Sequence, residues 1–417
     1  MEAEFFVHNL GCKVNRVESD IISAALLSAG GVPSLREEAR VIVVNTCTVT
    51  READAKTRKA IRRAAQAESN PWVIATGCAI AIEQAAYESL GDRVIAEPDR
   101  QQALKKALEL LGLEQGTGKA DSFPIRQGEG FNTRLGIKIQ DGCDNACSYC
   151  IVHVARGAAT STPLSSIAEQ TLTAESRGVR EIILTGVNIG AYSSGNGHLA
   201  ALIKELLAST SKLRIRLSSL EPQHADDELL ELMAKSQGRL CAHLHLPLQS
   251  GCDHTLREMG RLYDTSFYAT RVQRARALMP RLALTTDLIV GFPGENDRDF
   301  EASLAFCESM SFSRMHVFRY SQRPGTPSAQ RTDQVPAPVS ADRAERMREL
   351  AASMQRQDMA ERIGTVEAVL IEKEGRGTSE SYHHVETSAK VPAGSLIPMQ
   401  FIDCRDTLLT GLPIDVL

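Results

Sequence analysis

The sequence has 417 residues, 43% of them apolar and 24% charged, with a formal net charge of −5. That length supports two or three domains, each with its own core. The composition excludes collagen-like and disordered classes. The acidic balance means that contact with nucleic acid has to come from local basic patches. No run approaches the about 18 apolar residues a membrane span needs. The start, MEAEFFVHNLGCKVN, carries an early acid and no long apolar stretch. The chain therefore reads as cytosolic, without a membrane partner. Ten cysteines in such a chain point to metal or redox chemistry rather than disulfides.

The first segment alternates strand and helix: strands at Phe5–Asn9, Val41–Asn45, Trp72–Thr76 and Arg93–Ala96, with helices at Val17–Ala29, Arg51–Gln66 and Gln101–Leu111. This pattern predicts a doubly wound parallel sheet over residues 1–112. Residues 113–130 are rich in Gly, Glu, Gln and Lys and read as a linker. Alternation resumes with strands at Leu135–Ile139, Glu181–Leu184, Arg214–Leu217, His243–Leu246, Leu284–Ile289 and Met315–Phe318, and with helices such as Leu164–Ser176, Ala225–Lys235 and Arg298–Met310. Six such units predict a partial (β/α)6 barrel over residues 131–358, with its chemistry at the C-terminal strand ends. Arg343–Arg362 is a charged helical pattern that buttresses it. From 359 to 417 short β-like runs broken by glycine predict a small β-barrel.

Cys143, Cys147 and Cys150 stand in the run CDNACSYC, directly after a strand. A structural zinc site or a typical 4Fe–4S site takes four ligands, and this run supplies three, which leaves one iron of a cluster open. The alternative is a zinc site completed by His153. Cys12, Cys47 and Cys78 form a second set, each following a strand with a small residue before it. Ends of parallel strands line one edge of a doubly wound sheet, so three thiolates can converge there. A cluster held by them also keeps an open iron, which could carry sulfur to a carbon radical. The alternative is three buried cysteines acting as small hydrophobes. Cys241, Cys252, Cys307 and Cys404 show no such pattern and read as packing residues.

The CDNACSYC run resembles the radical SAM signature in spacing and position, Tyr149 included. The resemblance implies that the open iron chelates S-adenosylmethionine, whose reductive cleavage releases a 5′-deoxyadenosyl radical. It continues at the strand ends LTGV (184–187), RLSSLEP (216–222), LPLQSG (246–251) and IVGFPGE (289–295). By that resemblance Tyr149, Thr185, Gly186, Ser218, Glu221, Gln249 and Gly291 are candidate cofactor-binding residues. Across nearly its whole length the chain is similar to the methylthiotransferase family of radical SAM enzymes. That implies two 4Fe–4S clusters, on Cys12, Cys47 and Cys78 and on Cys143, Cys147 and Cys150, and a C-terminal barrel of the RNA-binding TRAM type. GCKVN (11–15), NTCTVT (45–50), ARG (155–157), SLEP (219–222) and HLPLQSG (245–251) resemble the branch that turns N6-threonylcarbamoyladenosine, beside the tRNA anticodon, into its 2-methylthio derivative. The implied partners are the tRNA anticodon stem-loop, a reductant such as flavodoxin or ferredoxin, and a sulfur source. Departures from the family are Ala79-Ile80 after Cys78, the thinned basic run at 259–263, and SESY at 379–382.

Arg51–Arg63 is basic: Lys56, Arg58, Lys59, Arg62 and Arg63 are candidate RNA-binding residues beside Cys47, with Lys56, Lys59 and Arg63 on one helical face. The tail from Glu361 holds nine acids against five Lys and Arg, a poor match to RNA. Tyr382, His383 and His384 there could stack on bases. Alternative functions are methylthiolation of isopentenyladenosine in tRNA or of a ribosomal protein aspartate. Another class is a non-catalytic iron–sulfur RNA-binding or sensor protein.

Overall fold

In the computed structural model, which describes residues 3–48, 50–114, 133–195 and 197–414, the first sheet is built from five parallel strands. They are β1 (Glu4–Asn9), β2 (Val32–Pro33), β3 (Val41–Thr46), β4 (Trp72–Gly77) and β5 (Val94–Ala96). Helices α1 (Lys13–Ser28), α2 (Arg51–Ala65), α3 (Cys78–Glu88) and α4 (Arg100–Leu111) cover its faces. Every residue of β3 is buried, as expected for a central strand covered on both sides. Val41 and Val43 pack with Phe5, Leu26 and Leu108 on one face, while Ile42 and Val44 pack with Ile61, Val73 and Tyr87 on the other. The strand order β2-β1-β3-β4-β5 reverses direction between β1 and β3, which is where such sheets bind ligands. From residue 115 on, the expected linker lies outside the described residues.

The second unit holds six parallel strands in sequence: β6 (Arg134–Lys138), β9 (Glu181–Thr185), β12 (Arg214–Leu217), β13 (His243–His245), β14 (Ala283–Val290) and β15 (Arg314–Arg319). Bridges at Ile215–Leu240 and Ser219–His245 join its two halves. Two small ribbons, β7 (Gln140–Asp141) with β8 (Thr160–Ser161) and β10 (Ser193–Ser194) with β11 (Gly197–His198), hang from the strand ends. Helices α5 (Val152–Arg156), α6 (Leu164–Ser176), α7 (Leu199–Ser209), α8 (Asp227–Lys235), α9 (Asp253–Glu258), α10 (Thr265–Leu278) and α11 (Asp297–Met310) wrap it. Among the described residues β15 and β6 do not pair, so the barrel stays open on that side. There α1 packs against β6: a Cβ on Gly136 would stand 2.3 Å from the Val17 side chain.

The long helix α12 (Ala337–Glu361) begins earlier than its charged pattern suggested and runs past the expected boundary at 358. It leads into a closed barrel of β16 (Val366–Lys373), β17 (Arg376–Ser379), β18 (His384–Glu386), β19 (Leu396–Arg405) and β20 (Leu408–Pro413). Val369, Ile371, Val385, Phe401 and Leu409 fill it. Glu181, fully buried, ties this barrel to the larger one. Arg214 Nε and Arg216 Nε donate to its two oxygens at 2.7 and 2.8 Å. The same guanidinium groups donate onward to the carbonyls of Ala368, Ser379 and Glu380 at 2.7 to 2.9 Å. Tyr382 is used inside this junction rather than held out for stacking: its ring lies against Arg216, Lys13 and Arg134. His383 is buried and bonded to Asp358 at 2.7 Å. His384 alone of the three is exposed.

Candidate functional site

The first cysteine trio sits at the switch point of the first sheet. Cys12 caps α1, its carbonyl taking the Arg16 N–H at 2.9 Å. Cys47 follows β3 and Cys78 opens α3. Gly77 bends the chain into α3 with φ +99°, and a Cβ there would stand 2.6 Å from Asn45 Oδ1, so only glycine fits. A buried amide network fixes the three strand ends relative to one another. Asn15 Nδ2 donates to Asn45 Oδ1 (3.0 Å) and to the Thr46 carbonyl (2.9 Å). Asn45 Nδ2 returns a bond to the Asn15 carbonyl at 2.9 Å. Thr46 Oγ1 donates to the Thr76 carbonyl (2.7 Å) and accepts from the Ala79 N–H (3.2 Å). Cys12 is exposed, while Cys47 and Cys78 are nearly closed over.

The second trio lies in the loop after β7. Gly142 permits the turn: a Cβ would fall 2.0 Å from the Ala158 carbonyl. Arg261, on the loop after α9, reaches this loop and donates to Cys147 Sγ at 3.1 Å. The Val152 N–H points at Cys150 Sγ from 3.4 Å. Arg261 is itself held by Glu221 and by Tyr263 Oη at 3.2 Å, and it lies over the Tyr263 ring. Burial pushes the thiols of Cys143, Cys147 and Cys150 up, Cys150 to about 11. A bound cation at this loop would favour their thiolate form.

The three cysteines open into a cavity of ≈ 300 Å³ at the C-terminal ends of the barrel strands. Tyr149, Glu221 and Gln249 of the candidate cofactor residues line it. Thr185, Gly186, Ser218 and Gly291 stand outside the lining. Gly186 abuts Gln140, and Gly291, at φ +72°, turns against Ser340 and gives its N–H to Glu295. The Thr185 and Ser218 hydroxyls are nevertheless buried without a partner, as are Asn188 Oδ1 and His153 Nδ1 in or beside the lining. Buried polar atoms without partners are rare in folded proteins. A ring of them beside three thiols and two N–H donors to sulfur fits a 4Fe–4S cluster with a polar ligand above it. Among the described residues no three His, Cys, Asp or Glu side chains gather closely enough to hold a single metal ion.

Arg156, on α5 just beyond Cys150, joins the two trios. It donates to Glu18 (2.9 Å), Asp141 (2.8 Å) and Asn15 Oδ1 (3.2 Å), and Asn15 Oδ1 also accepts from Cys12 Sγ at 3.2 Å. Burial works against the Glu18 charge, but Arg156, Arg100 and Lys138 hold its carboxyl below the usual range. On the other side Arg323, buried at the end of β15, donates to Thr48 Oγ1 at 2.5 Å and pairs with Asp54 at 2.6 Å. The loop carrying Cys47 is thus fastened to the barrel, and Thr50 lines the cavity. Sequence reasoning passed over Arg156, Arg261 and Arg323 as ligands to the site. Only Arg156 and Arg261 fell within quoted runs, and nothing in a linear pattern says which arginine is buried.

Of the basic residues on α2, Lys56, Lys59, Arg62 and Arg63 are exposed, Lys56 pairing with Glu52 at 2.8 Å. Arg58 turns elsewhere: it pairs with Glu83 at 2.9 Å and lies over the Tyr87 ring. It is therefore less available to a phosphate than its neighbours. Among the described residues no cysteine is in a disulfide. Cys241 and Cys307 are buried, and Cys252 meets Asp299 at 3.3 Å.

Residues 137–307 match the model of the radical SAM superfamily, and residues 4–95 match that of the uncharacterized protein family UPF0004. The threonylcarbamoyladenosine tRNA methylthiotransferase MtaB of Thermotoga maritima is 35% identical, over 88% of this chain and 86% of its own length. A tRNA-2-methylthio-N(6)-dimethylallyladenosine synthase of Cereibacter sphaeroides is 32% identical over 98% of both. The chain belongs to the radical SAM methylthiotransferase family. As in that family, its cofactors are S-adenosylmethionine and two 4Fe–4S clusters. Among solved structures the radical S-adenosylmethionine methyltransferase TsrM of Kitasatospora setae superposes with a TM-score of 0.58 at 15% identity. It covers 84% of this chain and 85% of its own, and that likeness bears on fold alone. Two trios of thiols in this chain, Cys12, Cys47 and Cys78 and Cys143, Cys147 and Cys150, could hold the two clusters, with Arg156 bonded to Asn15 beside the first. No helix among the described residues is long and apolar enough to cross a membrane.

Proposed function

We propose that this methylthiotransferase acts on tRNA in the cytoplasm, converting N6-threonylcarbamoyladenosine beside the anticodon into its 2-methylthio derivative. The observation that supports the reading is that Cys143, Cys147 and Cys150 line one cavity with Thr50, three residues after Cys47, while Arg156 bonds to Asn15, which accepts from Cys12 Sγ. The relatives with MtaB names support the branch. Cys143, Cys147 and Cys150 would hold the cluster that faces S-adenosylmethionine; Cys12, Cys47 and Cys78 would hold the cluster that presents sulfur. When bound, the cluster and S-adenosylmethionine would supply the one-electron and radical chemistry that an unactivated aromatic C–H requires. The protein's own groups do the rest. Glu221 clamps Arg261 onto Cys147, Gln249 and Asp287 present polar atoms to the cavity, and Arg156 and Arg323 keep the sulfur-bearing edge over its mouth. Lys56, Lys59, Arg62 and Arg63 offer phosphate contacts for the anticodon stem-loop. A flavodoxin- or ferredoxin-type donor supplies electrons, and a separate sulfur source replenishes the spent sulfur.

The test is mass spectrometry of tRNA nucleosides from cells lacking the gene. Loss of methylthio-threonylcarbamoyladenosine with the methylthio-isopentenyl nucleoside intact is expected. Loss of the isopentenyl form instead would move the chain to the other tRNA branch, and no change in either would end the tRNA reading.

A further inference from the structure

The cavity lining contains two arginines, Arg261 and Arg319. Arg261 is consumed by Glu221, Cys147 and Tyr263. Arg319, at the end of β15, is exposed and makes no hydrogen bond or ion pair among the described residues. Glu52 feels its charge, but Glu52 is already paired with Lys56 at 2.8 Å. Neighbouring cations are all occupied: Arg51 by the carbonyl and side chain of Gln322, Arg323 by Asp54 and Thr48, Arg331 by Asp333 and Glu258. A guanidinium left unmatched at the mouth of a reaction cavity is a carboxylate or phosphate reader, since its planar fork fits both bidentately.

The lining also holds an acid, Asp287. Although burial opposes its charge, His245 at 3.3 Å and His316 at 3.1 Å hold the carboxyl well below the usual range. His245 is braced in turn by Thr285 at 2.9 Å. A ligand bearing a carboxylate on one side and N–H donors on the other would lie with its N–H groups toward Asp287 and its carboxylate toward Arg319. The reverse pose would place two anions together. A threonylcarbamoyl group carries one carboxylate and a ureido N–H pair. A dimethylallyl group carries neither, and would leave the Arg319 guanidinium without a partner, a penalty that discriminates between the two substituents.

We propose that Arg319 is the specificity residue of this site, pairing with the carboxylate of the threonylcarbamoyl substituent while Asp287 sets its direction. This rests on the substrate reading given above. The same guanidinium could instead grip a backbone phosphate of the RNA, so the test must separate the two anions. Binding of the reconstituted protein would be measured by fluorescence anisotropy to synthetic anticodon stem-loops. One would carry threonylcarbamoyladenosine and the other its carboxamide, identical but for the charge. The unaltered protein is expected to prefer the acid by on the order of tenfold. Arg319→Gln is expected to reduce that preference to about one, and Arg319→Lys to keep part of it. Equal weakening of both RNAs by Arg319→Gln would assign the residue to phosphate and overturn the proposal. An undiminished preference in Arg319→Gln would overturn it too. If the unaltered protein binds both stem-loops alike, the carboxylate role is overturned, while the substrate reading stands or falls separately on the nucleoside mass spectrometry described above.

Discussion

Replacing Glu181 by Gln keeps its shape but removes the counter-ion of two buried guanidinium groups. Arg214 and Arg216 are 2% and 0% exposed, and Glu181 is fully buried. Burial opposes the Glu181 charge, but the two arginines bring its pKa down from 4.5 to about 2. By linkage that drop corresponds to roughly 3 kcal/mol of stability, the lower edge of the about 3–5 kcal/mol lost when one partner of a buried ion pair is removed. The sign follows from the depressed pKa: the contribution is complete above pH 4.5 and fades as pH falls toward 2. Urea unfolding of Glu181→Gln at pH 7 should therefore show a loss of about 3 kcal/mol. The gap to the unaltered protein should narrow by about 1 kcal/mol per pH unit below pH 4.5. The arginines also hold the carbonyls of Ala368, Ser379 and Glu380. Amide exchange should accordingly rise in β16 and in β17 with the turn after it. A loss below about 1 kcal/mol, or a gap that does not change with pH, would refute the account.

Arg261→Lys should lower the midpoint potential of the barrel cluster by on the order of 50 mV in an EPR-monitored redox titration. The guanidinium N–H on Cys147 Sγ at 3.1 Å favours the more negative, reduced cluster, and an unchanged potential would show that the contact is structural only. Arg323→Ala removes the bonds to Thr48 and Asp54 and should cost about 1–3 kcal/mol. Amide exchange should speed up in residues 50–54, and S-adenosylmethionine cleavage should continue while methylthio product falls. Parallel loss of both activities would mean that the pairing does not position the sulfur-bearing edge.

Much of the chemistry was legible in the linear sequence because it depends on spacing. Three cysteines within eight residues declare an incomplete ligand set wherever they fold. Cys12, Cys47 and Cys78 could be placed at one edge because strand–helix alternation forces parallel strands whose ends align. Helix boundaries were less legible. The α1 helix starts at Lys13 rather than Val17, with Cys12 in extended conformation as its N-cap, and α12 starts at Ala337 rather than Arg343, with Pro336 as its N-cap. A cap is a local geometry that periodicity does not carry.

Burial and pairing were settled only in three dimensions. Tyr382 was free by sequence to stack on a base, yet it is held among Lys13, Arg134 and Arg216, which come from two different domains. Arg58 belonged to a basic face by periodicity, yet Glu83 and Tyr87 of α3 claim it. Arg319, Arg261 and Arg323 are alike in the sequence. One is left open, one is clamped to a sulfur ligand, and one bolts two domains together. Residue identity and spacing fix what a side chain can bind. Which of those options is taken depends on groups hundreds of residues away, because charges are matched by proximity in space and not along the chain.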